Sequence, residues 1–238
     1  MLPPSLLTKT RKASRKMYRY GTNRTIERRG KLIKTAVAYG LVGLALSGCA
    51  GKMGYTPPAL SQMPPAMKTL NEPLDAVWAR AVPALSKQFF VINNIDKASG
   101  LINVSYSGDP ASYVDCGMIS SHVQNLRGTR NYLFNGSAAY QEYESMESGN
   151  LFFIKRRMAL EGRINLVFES IGTGSTRVTA NTKYVVTKTV DISNPMGQAA
   201  HLNDSVSFNS GNGANFPGRA SLECRATGAL EKSVLDLL

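Results

Sequence analysis

The sequence is poor in the residues that build most catalytic and metal sites. Its 238 residues include three Cys, two His and one Trp. Three Cys are too few for a small domain held together mainly by disulfides. No run of about 18 uncharged apolar residues occurs, which argues against a stable transmembrane helix. The hydrophobic fraction of 43% is near the globular norm. We therefore expect one ordinary core, or two small ones, rather than disorder throughout.

Motifs that carry a specific chemistry are also missing. The chain contains no HExxH pair, no GxSxG elbow, no P-loop and no Gly-rich dinucleotide fingerprint. His122 and His201 lie in polar segments without metal-ligand spacing, and we interpret both as solvated. The sequence thus predicts a non-enzyme with no catalytic residue, no metal site and no cofactor. A Ser/His/Asp triad stays open as an alternative, because its members need not be neighbours in sequence.

The net charge of +12 is concentrated at one end of the chain. Residues 1–48 hold 11 of the 28 Lys and Arg and a single acid, Glu27, so they carry +10. The other 190 residues carry only +2. A body so near neutrality lacks the basic surface that a phosphate backbone requires. We therefore predict no nucleic-acid partner and assign the basic excess to a leader.

The first 49 residues have the order of a secretory signal. A basic segment from Lys9 to Lys34 precedes the uncharged run 35–46, which is too short for a permanent anchor. The next residues, Leu46-Ser47-Gly48-Cys49, resemble the lipobox of bacterial lipoproteins. The resemblance implies lipidation of Cys49, cleavage before it, and acylation (palmitate) of the new N-terminus. Several acyl chains, at about 0.8 kcal/mol per buried CH₂, give stable attachment. A plain signal peptide is the alternative.

The lipobox resemblance also implies a location. Asp after the lipidated Cys favours inner-membrane retention in many Gram-negative bacteria, and Ala50 stands there instead. We therefore expect a lipid anchor in the outer membrane, with the protein on its periplasmic face. Two points stay open: the start at Met1 or Met17, and the export route. Arg28-Arg29 resembles a twin-arginine signal, but Lys31 stands where Phe is usual.

The mature chain is expected to divide into a tether and one domain. Residues 49–70 contain two proline pairs, which favour extended polyproline geometry over helix, so this segment is interpreted as a Pro-rich tether. The predicted boundaries are therefore 1–48 for the signal peptide, 49–70 for the lipidated Cys and tether, and 71–238 for a periplasmic α+β domain.

Hydrophobic periodicity predicts the elements of this domain. Apolar residues at spacings of three and four after Pro73 indicate an amphipathic helix, with Trp78 as a core anchor rather than a ligand platform. Two pairs of β-rich runs around Gly-containing turns predict hairpins. The predicted elements are a hairpin of 90–95 with 101–107, a long hairpin of 152–170 with 176–190, short strands at 205–208 and 219–224, loops over most of 108–150 and 191–218, and a closing helix over 228–238.

These elements predict an α+β fold. Its antiparallel sheet is built from two main hairpins, with the opening amphipathic helix and the C-terminal helix packed on one face. The segment LDAVWARAVPALSKQFFVINNIDKASGLINVSY resembles the start of the helix-grip domain of BamC-like outer-membrane lipoproteins. In that family, too, a helix is followed by a strand, an Asp-Lys-x-x-Gly turn and a second strand.

Two further features have candidate roles. Cys116 and Cys224 are the remaining pair, and an oxidising periplasm favours a disulfide between them. The loop it closes is long enough for roughly 4–5 kcal/mol of stabilisation, with two buried thiols as the alternative. The basic run 155–157 is interpreted as a solvated strand end, and contact with phospholipid headgroups or an acidic partner is the alternative.

The function expected from these features is non-catalytic. The sequence favours a periplasmic lipoprotein, anchored in the outer membrane through Cys49, that binds other envelope proteins as an accessory subunit of an outer-membrane assembly or secretion complex. A lipoprotein that binds a small ligand or lipid in a helix–sheet groove is the alternative. An envelope hydrolase is the third hypothesis.

Overall fold

The computed structural model describes residues 50–59, 63, 65–88, 90–218 and 221–238. The predicted signal peptide and the lipidation site Cys49 lie outside the described residues. The described chain is mostly antiparallel β-sheet with two helices, so both the predicted α+β class and a mainly-β description fit. No helix in these ranges is long and apolar enough to cross a membrane.

A long hairpin forms the centre of the main sheet. Strand β9 spans Asn150–Ile171 and strand β10 spans Ser175–Ser193, in register from Ser175↔Ile171 to Ser193↔Phe153. The predicted long hairpin is thus confirmed and extends beyond its expected ends. Even-numbered residues of β9 are buried from position 154 to 168, while their odd-numbered neighbours are mostly exposed. This alternation places one face of β9 on the core.

Shorter strands flank the long hairpin on both edges. On the β9 side, β4 (Leu101–Gly108) and β8 (Tyr140–Glu147) pair with different stretches of β9, and β3 (Val91–Asp96) lies outside β4. The predicted first hairpin, β3–β4, is therefore confirmed. On the β10 side, β2 (Ala66–Leu70) and β11 (Ala199–Asn209) pair with successive stretches of β10.

Two helices contact the buried face of β9. Helix α1 (Leu74–Ser86) buries Val77, Trp78, Ala81 and Leu85, and the Trp78 ring lies edge-on to Phe168 at 5.1 Å between centroids. Trp78 is therefore a core residue, as predicted. Helix α2 (Ala229–Leu235) packs where β9 has Gly162, since a Cβ there would lie 2.6 Å from Cδ2 of Leu230.

Two small three-stranded sheets complete the described chain. One contains β1 (Ala50–Thr56), β6 (Met118–Asn125) and β7 (Gly128–Asn135), in the order β1-β6-β7. The other contains β5 (Val114–Asp115), β12 (Gly213–Asn215) and β13 (Glu223–Ala226), in the order β12-β13-β5. Cys116 and Cys224 are both fully buried, and their sulfurs lie 2.03 Å apart, which is the distance of a disulfide. This is the pair predicted from the sequence.

The interpretation of residues 49–70 as a tether is corrected by the structure. Strand β1 pairs with β6 along all seven of its residues, and β2 pairs with β10. Pro57, Pro58 and Pro65 lie between these strands rather than within them. Prolines therefore interrupt the segment only between β1 and β2, where no ladder hydrogen bond is needed.

The predicted loops are also largely wrong. Residues 114–147, most of which were predicted to be loop, contain β5 to β8, and β11 is far longer than the predicted short strand at 205–208. These strands contain many polar residues, among them Ser, Asn, Gln and Glu, so their sequences show little intrinsic preference for β-structure. β6 pairs with the adjacent β7, and β8 and β11 pair with the long strands β9 and β10, so pairing overrides the local preference.

Candidate protein-binding surface

Strand β11 has an open edge. In the part of the chain that the structure describes, it pairs only with β10, in an unbroken register from Ala199↔Ser193 to Asn209↔Lys183. Its eleven residues include neither Lys, Arg nor Pro, and its first five residues are all exposed. Natural edge strands are usually blocked by Lys, Pro, a bulge or short length. β11 has none of these four devices, and its one carboxylate, Asp204, is paired with Lys188 on β10, so the strand is a candidate template for another strand.

Two observed hydrogen bonds show which backbone groups of β11 face outward. Asn194 donates its N–H to the carbonyl of Gln198 at 3.0 Å, and Ser210 donates to the carbonyl of Thr182 at 2.9 Å. Both pairs continue the β10–β11 register, in which bonded and non-bonded pairs alternate. Even-numbered residues of β11 therefore bond to β10. Odd-numbered residues, among them Asn203, direct their N–H and C=O groups to the open edge.

Two other strands that end a sheet, β3 and β7, are less suited to pairing with a further strand. β3, at the opposite edge of the main sheet, has six residues, and its register shifts between Ile92 and Asn94. Such an irregularity turns an edge away from further pairing. β7 has eight residues and carries Arg130, whose Nε donates to Glu144 at 2.7 Å. β11 is longer than both and has an unbroken register.

A stripe of charged and aromatic side chains crosses the sheet up to this edge. The outer stripe consists of Tyr140 and Glu142 on β8, Lys155 and Arg157 on β9, Asp191 on β10, and His201 on β11. Arg157 Nη1 lies 2.9 Å from Asp191 Oδ2, and His201 Nδ1 lies 2.6 Å from Asp191 Oδ1. The Arg157 guanidinium also lies over the Tyr140 ring, 5.3 Å from its centroid. These cross-strand contacts fasten β11 to β10 and β9.

Asp191 is the centre of this stripe. The hydrogen bond with His201, followed by that from Arg157, holds the pKa of Asp191 below its usual range. Its carboxylate therefore stays charged and joins three strands. A His–Asp pair also occurs in catalytic triads, but such a site needs a nucleophile beside the histidine. Across the described ranges, Asp191 is the side chain that hydrogen-bonds His201.

The two histidines are not brought together. His122 lies on β6 of the small sheet, with Nδ1 2.6 Å from Oδ1 of Asn131 on β7. His201 lies on β11 of the main sheet. Among the residues described, no group of three His, Cys, Asp or Glu side chains is placed to hold a metal ion.

The basic run 155–157 is split between the two faces of β9. Lys155 and Arg157 are on the exposed face, in the outer stripe, whereas the Arg156 side chain faces inward and is only 2% exposed. The interpretation of this run as a solvated strand end is therefore wrong for Arg156. The signal was present in the sequence, because Arg156 occupies the same alternate position as Ile154 and Met158.

Comparisons of the chain with protein-family models, with curated proteins and with solved structures find no match.

Proposed function

We propose that this chain is a lipid-anchored protein of the periplasmic face of the outer membrane that binds, without catalysis, an extended segment of another envelope protein. The observation that carries the binding part is the open edge of β11. A peptide in extended form would bond to the outward N–H and C=O groups of its odd-numbered residues, as in other cases of strand addition. The outer stripe would hold β11 in place while it binds.

The proposed anchor rests on the sequence around Cys49. Because Ala50 already pairs with Gln124 of β6, acyl chains on Cys49 would hold this end of the small sheet close to the bilayer. Leu126, in the adjacent β6–β7 turn, is 93% exposed, and Arg127 follows it. An exposed Leu beside an Arg suits a lipid surface with anionic headgroups.

Photo-crosslinking in cells that express the full chain tests the binding site. A photoreactive amino acid replaces Asn203 on β11 or, as the matched control, Asn93 on the opposite edge strand β3. Both positions are exposed on edge strands of the same sheet. We expect a discrete protein adduct from position 203 and none from position 93. Equal adducts from both positions, or none from position 203, would contradict binding at β11.

The anchor has a separate test. Cys49→Ala is expected to abolish acyl labelling and sedimentation with membranes, because all stable attachment would pass through that thiol. Cys116→Ala is the control and should keep the label. A Cys49→Ala protein that keeps both its label and its membrane attachment would contradict the lipoprotein assignment without touching the proposal for β11.

A further inference from the structure

A cavity of about 260 Å³ lies between the small sheet of β1 and β6 and the half of the β9–β10 hairpin that contains residues 153–159 and 187–193, here called the arm. Its apolar walls are Met53 and Ile119 from the small sheet, Val190 from β10, and Leu222. Two cationic side chains, Arg156 and Lys188, line the same space. An apolar cavity with a few convergent polar groups is the usual form of a small-molecule site, and this one is slightly smaller than the usual range of about 300–1,000 Å³.

Arg156 is buried with an incomplete set of partners. One terminal nitrogen, Nη2, donates to the carbonyl oxygen of Gly136, whereas Nη1 is buried and has no hydrogen-bond partner in the described part of the chain. A buried guanidinium is costly unless its charge and its donors are matched. The guanidinium also lines the cavity, so an anionic ligand there would stabilise a buried charge that the protein leaves only partly matched.

The surroundings of Arg156 supply no compensating charge. Tyr143 and Tyr55 are the groups that favour its charged form, and burial raises the pKa of both phenols, so both are neutral at pH 7. Burial lowers the pKa of Arg156 to about 10, which still leaves the guanidinium charged at pH 7. The site thus keeps one positive charge without a carboxylate.

Lys188 differs from Arg156 in having a counter-ion. Its Nζ lies 3.3 Å from Oδ2 of Asp204 on β11 and 4.6 Å from the centroid of the Phe216 ring. Asp204 therefore balances the Lys188 charge, and the surplus of the cavity is the single charge of Arg156. One surplus charge within apolar walls favours a monoanion with an apolar part over a strongly hydrated dianion.

We propose that this cavity binds a small amphiphilic monoanion, a carboxylate on a short apolar group. The carboxylate pairs with the Arg156 guanidinium, and the apolar group contacts Met53, Ile119, Val190 and Leu222. The planar guanidinium suits carboxylate better than an ammonium does. This site goes beyond the proposed protein binding, because it uses the inward face of the arm, whereas strand addition uses the edge of β11.

Thermal unfolding of the purified full chain in detergent tests the site. Hexanoate is the probe, and hexanamide, with the same apolar chain and no charge, is its matched control. Hexanoate is expected to raise the melting temperature saturably, on the order of 2–4 °C, since a ligand that binds only the folded state stabilises it. Hexanamide and inorganic phosphate are expected to have little effect.

Two arginines of β9 provide the variants. Arg156→Met removes the buried charge at nearly constant length, so it is expected to fold and to lose the hexanoate response. Arg163→Met, on the exposed face of the same strand and outside the outer stripe, is expected to keep it. The proposal is overturned if hexanamide or phosphate raises the melting temperature as much as hexanoate does, or if the Arg156→Met protein still responds to hexanoate. It is also overturned if hexanoate gives no saturable response, which would indicate a cavity that holds only water. If Arg156→Met fails to fold, the hexanoate and hexanamide comparison on the unsubstituted chain still decides.

Discussion

The two ends of the β9–β10 hairpin are built from the same strands but have different surroundings. In the covered half, residues 160–168 of β9 lie under Trp78 of α1 and Leu230 of α2. In the arm, residues 153–159 of β9 pair with 187–193 of β10, which in turn pair with the open strand β11. The helices thus contact one half, and the other half presents an edge and a cavity.

The buried charged groups of the two halves differ in their partners, although two neutral atoms of the covered half, Thr182 Oγ1 and Asn103 Oδ1, are also buried without a partner in the described chain. In the covered half, Glu231 is 1% exposed and accepts hydrogen bonds from Tyr184 and Ser210, each at 2.6 Å, so both carboxylate oxygens are used. In the arm, Arg156 is equally buried but its Nη1 is unused. A fully satisfied buried group rigidifies a core, whereas a partly satisfied one indicates a site for something else. We therefore assign stability to the covered half and binding to the arm.

The largest effect is expected from the disulfide, which belongs with the covered half because β13 leads directly into α2. Replacing Cys116 and Cys224 together by Ser should lower the free energy of unfolding by roughly 4–5 kcal/mol, given the 108-residue separation. Urea unfolding of the oxidised protein and the double variant measures it. A loss below about 1 kcal/mol would contradict a role for this bond in stability.

A slightly smaller effect is expected from the aromatic contact between α1 and the sheet. Trp78→Ala should cost about 3–5 kcal/mol, because it empties a buried site beside Phe168. The control in the arm is Leu202→Ala, at a side chain that is 48% exposed, with an expected change within about 0.5 kcal/mol. Similar losses in the two variants would remove the distinction between the halves.

The buried carboxylate should come next. Glu231→Ala leaves the Tyr184 hydroxyl without its acceptor and the Ser210 hydroxyl with only its longer bond to the Thr182 carbonyl, at a cost of about 2–3 kcal/mol. Lys232→Ala changes the exposed neighbour on the same helix and should have little effect. Urea unfolding of both variants gives the comparison. Equal stability of the two would show that the Glu231 contacts contribute nothing.

The smallest effect is expected in the arm. The lowered pKa of Asp191 means that its contacts with His201 and Arg157 contribute above the ordinary pKa of an Asp and are lost as pH falls through the lowered value. Acidification should therefore loosen β11 before the covered half. Hydrogen exchange measures the protection of the β11 and β4 amides as the pH falls. In the Asp191→Asn variant, β11 should no longer lose protection with falling pH. Loss of protection in β4 before β11 would contradict the prediction.

Local sequence patterns could predict only part of this structure. The alternation in residues 152–170, the apolar spacing after Pro73 and the two spare cysteines carry their own signals, and those elements were predicted. β1 and β2 were not, because they become strands only through pairing with distant segments. β6, β7 and β8 lie in local hairpins, but their many polar residues gave no clear strand pattern. The cavity beside Arg156 was missed because it exists only where the unpredicted small sheet faces β9 and β10.

The open edge of β11 has the most direct test in one pair of variants at position 203. Asn203→Pro removes an outward N–H that β10 does not use, whereas Asn203→Ala keeps it. Copurification of crosslinked partners from solubilised membranes, with urea unfolding of each variant, compares the two. We predict that Pro abolishes the partner, that Ala retains it, and that both unfold like the unsubstituted chain. Full retention of the partner by a folded Asn203→Pro protein would contradict strand addition at β11.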